Sequence, residues 1–254
     1  RSSDLVRAGI KRVVVSNIDP NPLVAGKGIE KLRAAGMDVS VGLLEPEGRE
    51  LNRRFLTMIQ KQRPYIILKW AQTADGFMAR EDGTSKWISN VYARQLTHKW
   101  RTEEDAILVG TKTAIMDNPQ LTARAWSGRN PTRVVIDRNM VLPAGINLFD
   151  GSATTLRYNQ RVTEVMPNET RVKIDSADFL RGMISNLFER RIQSLIVEGG
   201  PETLRNFTTA GLWDEVRMFV APVRFGSGLH APRPAGNSVE MNVAGNRLIT
   251  IRPY

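Results

Sequence analysis

The sequence predicts an α/β protein in which helices cover a mostly parallel sheet. Short runs rich in β-branched residues alternate with amphipathic segments of helical period along most of the chain. Two of these runs lead directly into glycine- and threonine-rich segments that are typical of helix starts. Near the C-terminal end two runs follow each other with no helix between them, which indicates an antiparallel edge to the sheet.

The first part of the chain predicts a strand-helix-strand-helix order. Residues 11–18 (KRVVVSNI) and 37–44 are β-branched, apolar runs, and residues 28–35 between them have helical character. Pro46 opens an amphipathic helix that ends before Pro64. An α/β order this short is too small for an independent domain, so we expect residues 1–62 to be the last part of a larger one.

A change of composition at residues 61–64 (KQRP) predicts a boundary, and residues 63–254 form the second predicted domain. Its strands are expected at residues 65–71, 106–109, 133–137, 194–197, 215–221, 239–243 and 248–251. Its helices are expected at residues 90–101, after Ser89 as N-cap, at 177–191 and from Pro201 onward.

Composition excludes several classes of site. The chain has 254 residues, 41% hydrophobic and 24% charged, and the absence of cysteine excludes disulfides and thiolate zinc sites. Its two histidines are too few for a histidine-rich metal site, and we expect His98, within a helix, to be solvated. We therefore predict no metal in this chain.

The charge and the N-terminal end suggest a compartment and a partner. No apolar run approaches the ~20 residues of a membrane span. The start, which is not a methionine, has no signal peptide, so we expect a cytoplasmic fragment that binds no membrane. The net charge of +10 fits a polyanionic small molecule. The basic residues are scattered among acids, which favours a solvated surface over nucleic-acid binding, although a basic RNA-binding module is the alternative of another class.

Two segments have the form of an anion-binding helix start. In residues 195–204 (LIVEGGPETL) an apolar strand runs into paired glycines and then Pro201. Residues 109–114 (VGTKTA) repeat the pattern more weakly. Each segment alone also fits a tight structural turn, but a dinucleotide needs two anchoring ends. The usual G-x-G-x-x-G fingerprint is absent, so a dinucleotide would require another scaffold.

Two single residues in other segments are ambiguous. Lys69 is a lone cation in the apolar strand of residues 65–71, where it either serves a site or extends to an edge. Trp87, in residues 83–89 (GTSKWIS), either stacks on a planar ring or packs in the core.

As an ordered set, the motifs resemble the reductase domain of the bifunctional riboflavin-biosynthesis deaminase/reductase family over residues 64–230. The matching segments are KWAQTADG, SKWIS, WRTEEDAILVGTKT, DNPQLTAR, PTRVVIDR, LIVEGGPETL and FVAPVRFGSG. The resemblance implies a dihydrofolate-reductase-like three-layer fold with a central mostly parallel sheet, which binds NADP without a Rossmann signature. It also implies a homodimer.

The N-terminal segment resembles the end of the same family's cytidine-deaminase-like zinc domain, through residues 9–39. The His-x-Glu and Pro-Cys zinc motifs that should precede it are missing. Without zinc ligands and the acid/base glutamate, deamination has no chemistry to use. We expect zinc only in an intact deaminase domain and no deamination by this chain.

The resemblance assigns site residues by position. The NADP-site residues are Ala71, Trp87, Thr113, Asp117, Arg138, Gly200, Pro201, Glu202, Thr203, Leu204, Arg205 and Asn206, and the substrate-site residues are Ser85, Arg101, Leu121, Arg124 and Glu198. Arg101 and Arg124 suit the substrate's phosphate, and Arg138 could favour the 2′-phosphate of NADP through a bidentate pair.

The implied reaction is hydride transfer from NADPH to C1′ of the ribosyl group of 5-amino-6-(5-phosphoribosylamino)uracil, opened as an imine. The candidate catalytic residues for the accompanying proton are Lys69, Asp75 and Glu198, and the sequence does not choose among them. The alternative enzyme is a reductase of a related pterin or pyrimidine on the same fold.

Overall fold

A computed structural model describes residues 2–24, 26–83 and 88–254. The chain divides into two compact units, residues 1–64 and 65–254. Within the described residues, none of the helices has the length and apolar character needed to cross a membrane.

The smaller unit is built on two parallel strands. Its elements are α1 (Ser2–Arg7), β1 (Arg12–Val15), α2 (Lys27–Ala34), β2 (Asp38–Val41), α3 (Glu45–Leu51) and α4 (Arg53–Lys61). The predicted single helix after Pro46 is wrong, because α3 ends at Leu51 and α4 begins at Arg53. The Asn52 side chain donates to the Gly48 carbonyl at 2.9 Å, a local bond that competes with continuation of the helix.

The larger unit carries twelve described strands, of which ten form one sheet. The strands are β3 (Tyr65–Thr73), β4 (Phe77–Ala79), β5 (Ala106–Gly110), β6 (Thr132–Ile136), β7 (Thr155–Asn159), β8 (Glu164–Val165), β9 (Thr170–Lys173), β10 (Ser194–Val197), β11 (Glu215–Ala221), β12 (Leu229–His230), β13 (Asn237–Val243) and β14 (Asn246–Arg252). The helices are α5 (Val91–Glu103), α6 (Thr111–Asp117), α7 (Phe179–Glu189) and α8 (Pro201–Thr209).

The sheet has the order β13-β14-β11-β3-β10-β5-β6-β7-β9-β8. The seven strands from β11 to β9 pair in parallel. The strands β14 and β13 add an antiparallel C-terminal edge, and β8 is antiparallel at the other edge. The predicted mostly parallel sheet is thus confirmed.

The core lies on both faces of this sheet. Alternate residues of the central strands point to opposite faces, so Ile66 and Leu68 join one hydrophobic cluster and Ile67 joins the other. The first cluster includes side chains of α7 and α8, such as Met183 and Phe207, and the second includes residues of α5 and α6. Helices therefore cover both faces, which gives the predicted three-layer architecture.

In the larger unit one local prediction was wrong and one buried strand was not predicted. The N-cap of α5 is Asn90 instead of Ser89, since the Asn90 side chain accepts from the Ala93 N–H at 2.8 Å. The sequence also failed to predict β7, because Arg157 and Asn159 hide its strand character although both are buried.

Candidate active site

A cleft of about 1870 Å³ lies at the carboxyl ends of four neighbouring parallel strands. Its lining includes Ala71 on β3, Gly110 at the end of β5, Arg138 after β6, and Glu198 and Gly199 after β10. Open α/β sheets place ligand sites at this edge because the loops that follow the strands converge there. The volume exceeds that of most drug-sized pockets, so the cleft can hold a dinucleotide together with a second small molecule.

The two glycine turns meet in this cleft. The backbone N–H of Gly200 donates to the Thr113 hydroxyl at 2.9 Å, and the Lys112 ammonium pairs with Glu202 at 2.9 Å. A Cβ at Gly110 would lie 2.4 Å from the Thr203 hydroxyl oxygen. The turns approach each other this closely because Gly110 has no side chain.

The start of α8 presents unsatisfied donors and positive charge. Its N-cap is Gly200, which has no side chain to cap the first N–H groups, and Pro201 follows at the first turn. The hydrogen bond from Lys112, followed by the charges of Arg205 and Arg138, lowers the pKa of the Glu202 carboxyl. Free helix N–H groups and clustered cations together favour an anionic ligand.

Lys69 and Glu198 form a nearly buried charged cluster with Arg101. The Arg101 guanidinium donates to both Glu198 carboxylate oxygens, at 3.3 Å from Nε and 2.9 Å from its terminal nitrogen. The Lys69 Nζ lies 3.8 Å from Glu198 Oε2. Burial opposes ionisation of Glu198, but the charges of Arg101 and Lys69 outweigh it and hold its pKa at about 2.

Burial lowers the pKa of the Lys69 ammonium, and the positive charge of Arg101 lowers it further, although Glu198 acts in the opposite direction. The exposed fractions of the Lys69 and Glu198 side chains are only 15% and 10%. Both side chains nevertheless line the cleft. The cluster therefore places a carboxylate and an ammonium with a lowered pKa at one point in the wall.

Arg101 connects this cluster to the segment of residues 121–124. Its guanidinium donates to the Thr122 carbonyl at 3.0 Å, and His98 Nδ1 lies 3.0 Å from the same oxygen. Arg101 itself is buried beneath the cleft wall. Arg124 lies on a separate shallow depression beside Trp126 and Asn130.

Most of the residues that the sequence assigned to the cofactor line the cleft. Those are Ala71, Thr113, Asp117, Arg138, Gly200, Pro201, Glu202, Thr203, Arg205 and Asn206. Leu204 differs, because its side chain is fully buried in the core, as the inward position of an amphipathic helix requires. Leu121 likewise packs in the core, with an exposed fraction of 2%. Neither residue is among those that line the cleft, so their contact with a ligand stays a prediction. Ser85 and Trp87 lie outside the described residues.

Asp75 lies in the β3–β4 turn and makes hydrogen bonds that hold a loop. Its carboxylate accepts from the Thr73 hydroxyl at 2.5 Å and from the backbone N–H groups of Phe225 and Gly226, the latter at 2.9 Å. The Thr73 bond foremost, with the two backbone N–H groups, lowers the pKa of Asp75 to about 2 despite opposing desolvation. In the structure this carboxylate therefore holds the loop of Phe225 and Gly226 in place. A catalytic role for Asp75 stays a prediction.

His98 was predicted wrongly, whereas Asp117, which the resemblance assigned to the cofactor, lies in the cleft lining. His98 was predicted to be solvated, but its exposed fraction is 8%. The i, i+3 spacing of His98 and Arg101 on α5 is the signal that places both on one helix face. Asp117 lines the cleft, and although more than a third of its surface is exposed, partial burial raises the pKa of its carboxyl.

Within the part of the chain that the structure describes, no group of three or more histidine, aspartate or glutamate residues is arranged to hold a metal ion. At the cleft, charged groups of the described residues converge in the Lys69–Glu198–Arg101 cluster and around Glu202.

Comparisons with known proteins point to one family. The family model described as the RibD C-terminal domain matches residues 64–250. The riboflavin biosynthesis protein RibD of Aquifex aeolicus is 42% identical over 231 residues, which are 89% of this chain and 65% of that protein. RibD of Bacillus amyloliquefaciens is 37% identical, over 89% of this chain and 63% of that protein. The chain thus spans less than two thirds of the length of these curated relatives.

The structural comparison extends over the whole chain. The structure of a diaminohydroxyphosphoribosylaminopyrimidine deaminase/5-amino-6-(5-phosphoribosylamino)uracil reductase from Thermotoga maritima is 35% identical. The two structures align over 100% of this chain and 74% of that chain, with a TM-score of 0.91. The riboflavin biosynthesis reductase Rib7 of Saccharomyces cerevisiae, at 16% identity and a TM-score of 0.60, shares the fold over 80% of this chain and 99% of its own.

Proposed function

The chain belongs to the RibD C-terminal domain family, and from this premise we propose that it reduces 5-amino-6-(5-phosphoribosylamino)uracil, with NADPH as the hydride donor. The product carries a ribityl chain where the substrate carries a ribosyl group. The proposal rests on one observation. The Gly200 N–H donates to the Thr113 hydroxyl at 2.9 Å, and this hydrogen bond joins the two glycine turns at one cleft. The charged cluster of Lys69, Glu198 and Arg101 lies in the same wall.

The residues of the cleft fit an extended, phosphate-bearing nucleotide. The uncapped start of α8 suits a pyrophosphate, because its first N–H groups have no partner within the helix. Arg138, whose guanidinium lies 4.6 Å from the centre of the Phe179 ring, and Arg205 also line the cleft. A planar guanidinium pairs well with a phosphate, so Arg138 is the candidate for the 2′-phosphate that distinguishes NADPH from NADH.

The second part of the cleft suits the aminouracil substrate. Glu198 and Lys69 are held at the wall by their mutual attraction and by Arg101, so their side chains are fixed before a substrate binds. Residues 121–124 are attached to the same place through the hydrogen bond from Arg101 to Thr122. Arg124 and Arg101 do not line the cleft themselves. Both charges act on His98 nearby, and we propose that they favour the substrate's phosphate at this end of the site.

NADPH, when bound, supplies the hydride. The ribosyl ring opens to an imine, C1′ gains a C–H bond, and the electron pair of the C1′=N bond moves to nitrogen, which takes a proton. Lys69 can deliver that proton, because its lowered pKa weakens its hold on it, and Glu198 keeps the ammonium in place. The residues that line the cleft would hold the nicotinamide and the substrate side by side, and such positioning would contribute to the acceleration.

The test is a pair of measurements on the same preparation. NADPH fluorescence should change on titration with the protein, and NADH should bind about tenfold or more weakly. Oxidation of NADPH should then require 5-amino-6-(5-phosphoribosylamino)uracil and should be much slower with the unphosphorylated compound or a pterin. Equal rates with a pterin would favour the alternative reductase, and absence of NADPH binding would overturn the proposal.

We also propose that residues 1–62 are the last part of a deaminase domain and contribute no deamination by themselves. Alignment of the whole chain with the Thermotoga maritima deaminase/reductase supports this proposal. Incubation of this chain with the aminated pyrimidine precursor, with or without added zinc, should release no ammonia. Catalytic release of ammonia would contradict the proposal.

A further inference from the structure

We propose that His98 is a positioning residue for the substrate site: it holds the segment of residues 121–124, and with it Arg124, in the orientation that binds the substrate. This inference rests on the proposed function, because it concerns the phosphate-binding end of that site. The observations that carry it are the burial of His98 and its contact with the Thr122 carbonyl.

The segment needs external anchors because its backbone is unfavourable in isolation. Leu121 has a φ of 54°, a left-handed conformation that is unfavourable for a branched apolar residue. Packing of the Leu121 side chain in the core and the bond from the Ala123 N–H to the Asn130 side chain, 2.9 Å, fix the ends of this bend. Between them, side chains of helix α5 hold the Thr122 carbonyl in place.

The Thr122 carbonyl receives two donors from one face of α5. His98 Nδ1 and an Arg101 terminal nitrogen each lie 3.0 Å from the oxygen, and a carbonyl oxygen has two lone pairs to accept them. Arg101 is simultaneously committed to both oxygens of Glu198. Of these two donors, His98 is therefore the one that holds residues 121–124 without also donating to Glu198.

The surroundings determine the protonation state of His98. A carbonyl only accepts, so Nδ1 carries the hydrogen in this contact. Burial lowers the pKa of His98, the charges of Arg101 and Arg124 lower it further, and the Thr122 bond and Glu198 oppose them. The side chain thus acts as a neutral donor and adds no third cation beside the two arginines.

The experiment compares four variants of the whole chain: His98→Leu, His98→Asn, His98→Gln and the control Thr97→Val. Asparagine carries an N–H donor near the position of Nδ1, leucine has no donor, and glutamine places its donor one bond further out. Thr97 is the matched control because it is buried in the same turn but donates only to its own helix, at the Ala93 carbonyl. The measurements are KM for the phosphorylated substrate, kcat, and the Kd for NADPH.

We expect His98→Leu to raise the substrate KM about tenfold, the effect of losing one buried hydrogen bond, while the NADPH Kd stays within about twofold. His98→Asn should restore most of the lost affinity, His98→Gln less, and Thr97→Val should leave KM unchanged. An unchanged KM in His98→Leu, or equal defects in the asparagine and leucine variants, would overturn the inference. If the leucine variant does not fold, the asparagine–glutamine comparison decides in the same way.

Failure of the proposed function would look different. In that case the unmodified chain would not oxidise NADPH with this substrate. Crystal structures of the unmodified chain and of His98→Asn and His98→Gln would then test the contact without an assay. A displacement of residues 121–124 in the glutamine variant alone is expected, and an unmoved segment in both variants would overturn the inference.

Discussion

Lys69 and Glu198 show how a single pair of residues can combine stability with reactivity. Each charge would be costly if it were buried alone, and each is stabilised by the other and by Arg101. The net effect is a carboxylate with a pKa of about 2 beside an ammonium whose pKa is lowered. The pair is therefore held in place in the absence of substrate, and delivery of the Lys69 proton is the role that we propose for it.

Replacement of Lys69 by methionine tests its part in proton delivery. Lys69→Met should lower kcat by about 10²- to 10⁴-fold, the usual contribution of a general acid, while NADPH binding changes little. The measurement is NADPH oxidation at saturating substrate. Lys173→Met, at a partly exposed lysine of strand β9, is the matched control and should keep full activity. Unchanged turnover in Lys69→Met would remove this role.

Asp75 provides a contrasting residue-scale prediction. Its ionised form accepts the Phe225 and Gly226 N–H groups, so Asp75→Asn should lower the melting temperature at neutral pH. Because its pKa is lowered to about 2 from an ordinary value of about 3.9, this stabilisation is present above pH ~4 and is lost as the pH falls toward 2. The measurement is the melting temperature of the unmodified chain and of Asp75→Asn across this pH range. The two melting temperatures should become equal as the pH approaches 2.

The kinetic outcome distinguishes the two roles of Asp75. At a temperature where both proteins are folded, kcat of Asp75→Asn should fall far less than that of Lys69→Met. A variant with unchanged melting behaviour and abolished hydride transfer would instead support the catalytic role that the sequence suggested.

At the residue scale, the sequence predicted those site residues that differ sharply from their neighbours along the chain. Lys69 stood out because a lone cation in an apolar strand requires an explanation, and the structure places it in the cleft wall. His98 was misjudged because its burial depends on residues 121–124, more than twenty positions along the chain. Contacts of that kind leave no periodic signal in one sequence.

At the scale of elements, the glycine turns of the cleft tolerate little change in side-chain size. A Cβ at Gly199 would lie 2.7 Å from the Cβ of Thr203, closer than such atoms approach in proteins. The substitution Gly199→Ala must therefore push the start of α8 away from β10. We expect the NADPH Kd to rise at least about tenfold, because the first N–H groups of α8 would shift.

Gly145→Ala is the matched control for this prediction, since a Cβ there meets no atom within 4 Å and the backbone has no positive φ. Fluorescence titration should give it the Kd of the unmodified chain. An unaltered Kd in Gly199→Ala, with the fold intact, would show that the turn does not position the cofactor.

At the same scale, some strands could be predicted from the sequence and others could not. The runs at β3, β10 and β11 were predicted because both faces of a central strand are apolar. Strand β7 was missed because Arg157 is buried through a pair with Asp137, whose carboxylate also accepts the N–H groups of Val141 and Leu142. A buried ion pair replaces the apolar pattern there, so the residues alone indicate a surface segment.

At the scale of the whole molecule, the two units differ in what they contain. Both large hydrophobic clusters and every described residue of the cleft lie within residues 65–254. A fragment of residues 65–254 should therefore fold cooperatively and bind NADPH with nearly the affinity of the whole chain. Thermal unfolding and fluorescence titration of the fragment check this, and a fragment that folds without binding NADPH would contradict it.

Transfer of deuterium tests the proposed reaction most directly. NADPH carrying deuterium on one or the other face of nicotinamide C4 would be supplied with 5-amino-6-(5-phosphoribosylamino)uracil, and the product analysed by mass spectrometry and NMR. We predict one deuterium per product at C1′ from one face of NADPH only, and none from the other. Product without deuterium at C1′ from either face would contradict direct hydride transfer in this cleft.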